Sequence, residues 1–180
     1  MKAAVFAIGM VVLLGLSSYG EVRADGSSKD PLFSRMEGHW IGTGTVSYTI
    51  SGRQESLRID VNSVVSIVDG KEQLTSTSQV TQSQEGSATP PRVYQTSYWI
   101  TPSQTPGAYN LGYGASTQVT STGTLDAQLT FETSQSFGGG DSGYVVHSST
   151  QFEPDGSSVY TEFATQGQAV VSKTVIRYQH

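Results

Sequence analysis

The chain has 180 residues, a formal net charge of −5, no cysteine, and only 14 % Asp, Glu, Lys and Arg. The missing cysteines exclude a disulfide framework and a diacylglyceryl-cysteine anchor. A mildly acidic chain rich in Ser, Thr, Gln and Gly carries no electrostatic footprint for nucleic acid or anionic lipid, and its composition suits exposed β-surface.

In chain order, Lys2 precedes an uncharged apolar run from Ala3 to Leu16, followed by the polar stretch Ser17–Ala24. This is the order of regions in a secretory signal. The run is shorter than the roughly 18–20 apolar residues a bilayer crossing needs. Val22 and Ala24 fit the specificity positions of a signal peptidase, so cleavage is expected after Ala24, with Gly20 as second choice. The expected organisation is a signal over 1–24, a lead-in over 25–36 and one domain over 37–180. Loss of Lys2, Arg23 and Glu21 takes the net charge to −6. The mature protein is expected to be exported to the periplasm or the medium, with no integral membrane span.

Within the lead-in, Asp30–Met36 reads as one helical turn with Pro31 at its first position. Strands and turns follow. In Trp40–Ile50 one parity holds Trp40, Gly42, Gly44, Val46, Tyr48 and Ile50, while the other is largely Thr and Ser. That is a half-buried strand whose glycines permit close approach of a neighbouring backbone. After the turn Ser51-Gly52, Leu57, Ile59, Val61, Val65 and Ile67 face one way, and Arg58, Asp60 and Asn62 the other. Asp69-Gly70 is a strong hairpin signal. It leads to a Thr/Ser/Gln-rich strand over 72–84, expected at an edge or a wide part of the sheet. Residues 84–91, ending Pro90-Pro91, form a loop.

Residues 92–101 carry bulk on both faces, with Tyr94, Tyr98 and Ile100 against Val93 and Trp99. Short strands are expected over 108–113, 116–121 and 124–133, separated by Gly114 and Gly123. Gly138-Gly139-Gly140 marks a hairpin tip, and the last strands cover 144–152, 158–164 and 168–178. The fold class is all-β: one antiparallel up-and-down β-barrel of eight to ten strands, with a two-sheet sandwich as the competing arrangement.

The segment Phe33-Ser34-Arg35-Met36-Glu37-Gly38-His39-Trp40-Ile41-Gly42-Thr43-Gly44 resembles the opening of the calycin superfamily. There a short helical lead-in precedes Gly-x-Trp and Gly-x-Gly on the first strand. The superfamily includes lipocalins, fatty-acid-binding proteins, nitrobindin-like haem barrels and small uncharacterised bacterial lipocalin-like families. The resemblance implies that Trp40 closes one end of the barrel. The chain departs from true lipocalins in lacking a disulfide and their second motif, with Arg177 the one candidate for the basic residue of the third, so the bacterial branch is the nearer match.

Few residues carry overt chemistry. Gly140-Asp141-Ser142-Gly143 resembles the nucleophile loop of chymotrypsin-like proteases, and His39 and Asp60 precede Ser142 in the required order. Tyr144, however, replaces the further glycine of that loop, and the chain is short for two barrels, which favours a plain hairpin tip. His39, His147 and His180 are too scattered for a local metal motif, and no metal is expected. No cofactor is expected either. His147 would serve as a haem or metal ligand if it faced the lumen. The competing reading turns it outward with Ser149 and Gln151, and places His180 in a disordered terminus. No carboxylate pair suits acid–base work: Arg58 and Asp60 read as a surface ion pair, Asp126 and Glu132 stand about 20 Å apart on an extended strand, and Glu162 reads as outward. A transmembrane barrel is disfavoured because the outer faces are polar where lipid requires apolar residues.

These readings lead to an expectation of non-enzymatic binding of a hydrophobic or amphipathic small molecule in the lumen. Trp40, Val46, Tyr48, Leu57, Ile59, Val61, Tyr94, Tyr98 and Tyr144 are expected to line it, with tyrosine hydroxyls orienting the polar end. The alternatives are a hydrolase- or cyclase-type enzyme using the barrel mouth and a structural or interaction module of the cell envelope.

Overall fold

The computed structural model describes residues 30–50, 53–68, 72–137 and 143–180. The proposed signal, the Ser51-Gly52 and Asp69-Gly70 turns and the Gly138–Ser142 tip lie outside the described residues. A single turn of helix, α1 (Phe33–Met36), leads into ten strands: β1 (Gly38–Ile50), β2 (Arg53–Ile67), β3 (Leu74–Ser83), β4 (Arg92–Pro102), β5 (Ala108–Tyr113), β6 (Ser121–Leu125), β7 (Thr130–Phe137), β8 (Tyr144–Phe152), β9 (Ser158–Gln166) and β10 (Ala169–Gln179). Each pairs antiparallel with its neighbours in sequence, and β1 pairs with β10, so the sheet closes into an up-and-down barrel. Closure removes the edge at which the Thr/Ser/Gln-rich strand was placed: β3 sits in the wall between β2 and β4.

The glycines of β1 allow that closure. A methyl group on Gly44 would collide with the carbonyl of Val175, and one on Gly42 with the rings and methyls of Tyr178 and Ile176. The first contact is with backbone, so no rotamer change relieves it and β10 can lie this close only over glycine.

The middle of the chain divides differently from expectation. Residues 115–120 form a connection, and the run expected as one strand over 124–133 is split by a turn at Asp126–Leu129. Asp126 accepts the Thr130 amide at 2.7 Å, and Leu129 takes φ 63°. An aspartate that satisfies a nearby amide competes with strand pairing, which the apolar alternation does not reveal. Gly123, read as a separator, lies inside β6 beneath the ring of Phe131.

One end of the barrel is closed by packing. Leu32 and Phe33 dock against Trp40, Val65, Leu74, Ile100, Tyr109, Leu111, Phe131 and Phe152. Leu74 is 0 % exposed and Ile100 1 %. Asp30 holds the lead-in by accepting the amides of Leu32 and Phe33 at 2.9 and 3.0 Å, and the Tyr109 hydroxyl donates to the same carboxylate at 3.1 Å. The Trp40 indole donates to the Met36 carbonyl at 2.8 Å. His180 is ordered rather than loose: its ring meets Trp40 edge-on at 4.8 Å, and Nε2 donates to the Glu37 carbonyl at 3.1 Å. The end opposite this base is the mouth.

Candidate functional site

Side-chain alternation and strand register decide what the upper lumen contains. On β1 and β2, Val46, Leu57, Ile59 and Val61 share the inward face, joined by Val80 from β3 and Ile176 from β10. These apolar residues share their face with Ser63, Ser78, Gln82 and Thr174. Across the lumen, the inward residues of β6 to β9 are mostly polar: Ser121, Thr133, Gln135, Ser148, Thr150 and Glu162. Tyr94 of β4, Tyr160 of β9 and Tyr178 of β10 pack against the apolar cluster, Tyr98 of β4 packs against the base, and Tyr113 of β5 faces the same interior.

Glu162 is the correction with most consequence. Its register partners are Ser148 and Thr174, with Tyr160 and Ala164 on the same face, so it points into the lumen and not outward. The Tyr160 hydroxyl donates to Glu162 Oε2 at 2.6 Å. Burial raises the Glu162 carboxyl above its ordinary value, outweighing the tyrosine hydrogen bond that favours the ionised form. Burial likewise raises Tyr94, Tyr98, Tyr113, Tyr178 and, most strongly, Tyr160. The Glu162 charge adds to the rise at Tyr94, Tyr113, Tyr160 and Tyr178, so one carboxylate is felt by rings from four strands.

Two small hydroxyls face the same space. Ser76 and Ser121 are 2 % and 8 % exposed, and neither Oγ has a well-formed hydrogen bond. The Tyr98 hydroxyl lies beside the first and that of Tyr113 beside the second. One level away, Ser63 and Ser78 satisfy each other at 2.7 Å. Buried hydroxyls left without such partners are uncommon and mark a place for a further polar group.

Tyr94, Tyr98, Tyr113, Tyr160, Glu162 and Tyr178 all remain partly accessible although they point inward. A lumenal side chain is accessible only if water-sized space adjoins it. Eight strands leave an interior that side chains just fill or that holds one small ligand, and ten strands widen it.

The expected lining residues divide into three groups. Val46, Leu57, Ile59, Val61, Tyr94 and Tyr98 face the barrel interior above the base. Tyr48 and Tyr144 sit at the mouth, where Tyr48 donates to Glu55 at 3.2 Å and Tyr144 stacks on Phe137 at 5.2 Å. Trp40 belongs to the packed base. His147 stands on the outer face, its ring 5.4 Å from that of Phe163, so its imidazole is turned away from any lumenal haem. The protease elements are not assembled either: His39 bonds to Asn62 at 2.5 Å, Asp60 pairs with Arg58 at 2.9 Å, and Ser142 lies outside the described residues. Asp126 and Glu132 lie on opposite sides of a turn. Among the described residues no group of three His, Asp or Glu side chains could hold a metal ion, and no helix is long and apolar enough to cross a membrane.

Glu162, Tyr113, Tyr160 and Tyr178 are site residues beyond those expected. The available signal was the shared parity of Tyr160, Glu162 and Ala164 on one strand and of Thr174, Ile176 and Tyr178 on the next.

No protein-family model matches the chain, and no curated protein does. Among solved structures it is similar to the S-type phycobiliprotein lyase CPES from Guillardia theta, at 12 % identity and a TM-score of 0.59, over 82 % of this chain and 89 % of that one. At that identity the likeness concerns the scaffold, and with the closed antiparallel barrel it shows that this chain has a calycin-like fold.

Proposed function

We propose that this protein is an exported, lipocalin-like carrier that binds an amphipathic small molecule in its upper lumen. The observation that carries this reading is the two-sided lumen: an apolar wall of Val46, Leu57, Ile59, Val61, Val80 and Ile176 with Tyr94, Tyr160 and Tyr178 packed against it, and a polar wall that carries Glu162. Burying an apolar body against the first wall is worth about 25 cal/mol per Å2, and the second supplies directional hydrogen bonds for a polar end. The secretory pattern over residues 1–24 supports export, and the resemblance to small bacterial lipocalin-like families agrees with it. An enzymatic reading has one observation in its favour, a protonatable carboxyl bonded to a tyrosine hydroxyl inside a lumen.

Titration with N-phenyl-1-naphthylamine, a neutral apolar fluorophore, tests lumenal binding. Saturable uptake near one molecule per chain is expected, and Val46→Trp, which puts an indole in the lumen, should abolish it while the barrel stays folded by circular dichroism. Uptake that is absent, or unchanged by Val46→Trp, rules the carrier out. Amino-terminal sequencing of protein recovered outside the cytoplasm should begin at Asp25.

A further inference from the structure

Among the described residues the Glu162 charge has no ion-pair partner. Arg35, Arg53, Arg58, Arg92, Lys173 and Arg177 are all exposed, and among the described residues no basic group lies within ion-pair distance of Glu162. Oε2 accepts from Tyr160, and among the described residues Oε1 accepts nothing. A buried carboxylate without a cation is costly, and the cost falls when a ligand brings one.

We propose that the ligand of the upper lumen is an organic ammonium, a protonated amine whose nitrogen reaches Glu162 among the lumenal tyrosines while its apolar body lies against Val46, Leu57, Ile59 and Val61. This deepens the carrier reading above and rests on it. Three observations converge. Glu162 offers a free carboxylate oxygen to an N–H donor. The Tyr160 hydroxyl bonds to it and Tyr94, Tyr113 and Tyr178 stand near enough to feel its charge, so the surroundings are aromatic, and aromatic rings tolerate cations. Ser76 and Ser121, enclosed beside the Tyr98 and Tyr113 hydroxyls, keep that side of the interior polar without adding charge. An anionic head would meet a carboxylate that no base pairs with, since Arg92 lies at the rim over Tyr94, and a neutral one would leave the charge unanswered.

The groups facing Glu162 from the packed elements are tyrosines, Tyr160 on its own strand, Tyr178 on β10, and Tyr94, Tyr98 and Tyr113 across the lumen, with one base beyond them, Arg92, exposed at the rim with its guanidinium over the Tyr94 ring at 5.3 Å. Tyr144 of β8 sits at the mouth, and His147, Lys173 and Arg177 of the neighbouring strands point outward. Carboxyl protonation is therefore the titration that governs amine affinity in the acid range.

Calorimetric titration of the purified protein with 1-naphthylmethylamine and its neutral isostere 1-naphthylmethanol separates the two layers of the argument. At about pH 8 the amine should bind roughly ten-fold or more tighter than the alcohol, as a charge-assisted hydrogen bond predicts. The preference should fall as pH is lowered through the Glu162 titration and vanish in Glu162→Gln. Equal binding of amine and alcohol overturns the ammonium assignment and leaves the carrier reading intact. A preference that survives Glu162→Gln overturns the role of Glu162. Binding of neither, together with failure of the neutral fluorophore, overturns both readings.

Discussion

The base and the upper lumen of this barrel share one backbone geometry and differ in what fills it. At the base, Phe33, Leu74, Ile100, Tyr109, Phe131 and Phe152 meet across the axis and the lead-in helix covers them, so the interior is core. A few residues along the same strands a smaller cluster of Ile59, Val61, Val80 and Ile176 packs with Tyr94, Tyr160 and Tyr178, and the other inward positions become Ser76, Ser121, Thr133, Ser148 and Glu162, small or polar side chains that add little core. Inward-facing and core-forming are therefore separate properties. The first follows from strand parity, the second from side-chain volume at each level of the barrel.

Matched truncations test that contrast most severely. Leu74→Ala at the base should destabilise the protein by about 3–5 kcal/mol, the range for a cavity in a close-packed core. Leu57→Ala in the partly accessible upper lumen should cost no more than about 1–2 kcal/mol, because space already adjoins the side chain. Urea unfolding of the two variants gives the comparison, and equal losses would mean that the upper lumen is packed like the base. Next in size is Asp30→Ala. It removes the acceptor for two amides and the Tyr109 hydroxyl and should cost about 1–2 kcal/mol. If the lead-in is what seals the base, this variant should also expose Trp40 to fluorescence quenching by acrylamide. A Trp40 that stays protected would limit the role of Asp30 to the helical turn itself.

The base was legible because large apolar residues at period two declare their face without help, as Leu57–Ile67 and Trp40–Ile50 do. The resemblance carried by Gly38-x-Trp40 also indicated which end closes. The polar side was harder to read for a physical reason visible at β9 and β10. A regular register continuing from Ala169 opposite Gln166 would set Glu162 across from Lys173, and the sequence then reads as an ion pair that belongs outside. The β-bulge between Val170 and Ser172 moves the register by one residue, so Thr174, Ile176 and Tyr178 face inward beside Glu162 and Tyr160 while Lys173 stays outside. A one-residue slip exchanges the two faces of a strand, and nothing in Val170-Val171-Ser172 announces it. With Tyr160 and Ala164 on one face of β9 and Val159 and Phe163 on the other, apolar content alone does not choose.

The smallest expected effect asks how dry the upper lumen is. Burial holds the Glu162 carboxyl above its ordinary value, so the folded protein binds that proton more tightly than the unfolded chain does. The resulting stabilisation is fully present below the unfolded carboxylate range and is lost as pH rises through the raised folded value. Glutamine keeps the shape and still accepts from Tyr160 but never ionises. Glu162→Gln should therefore match the parent protein below about pH 4 and exceed it in stability above neutrality, the gap opening with pH in urea unfolding at a series of pH values. A gap that stays closed, or that reverses, would mean that water or the Tyr160 hydroxyl already solvates the carboxylate as well as bulk solvent does. The upper lumen would then differ from the base in polarity as well as in volume, and a cation would gain less by entering it.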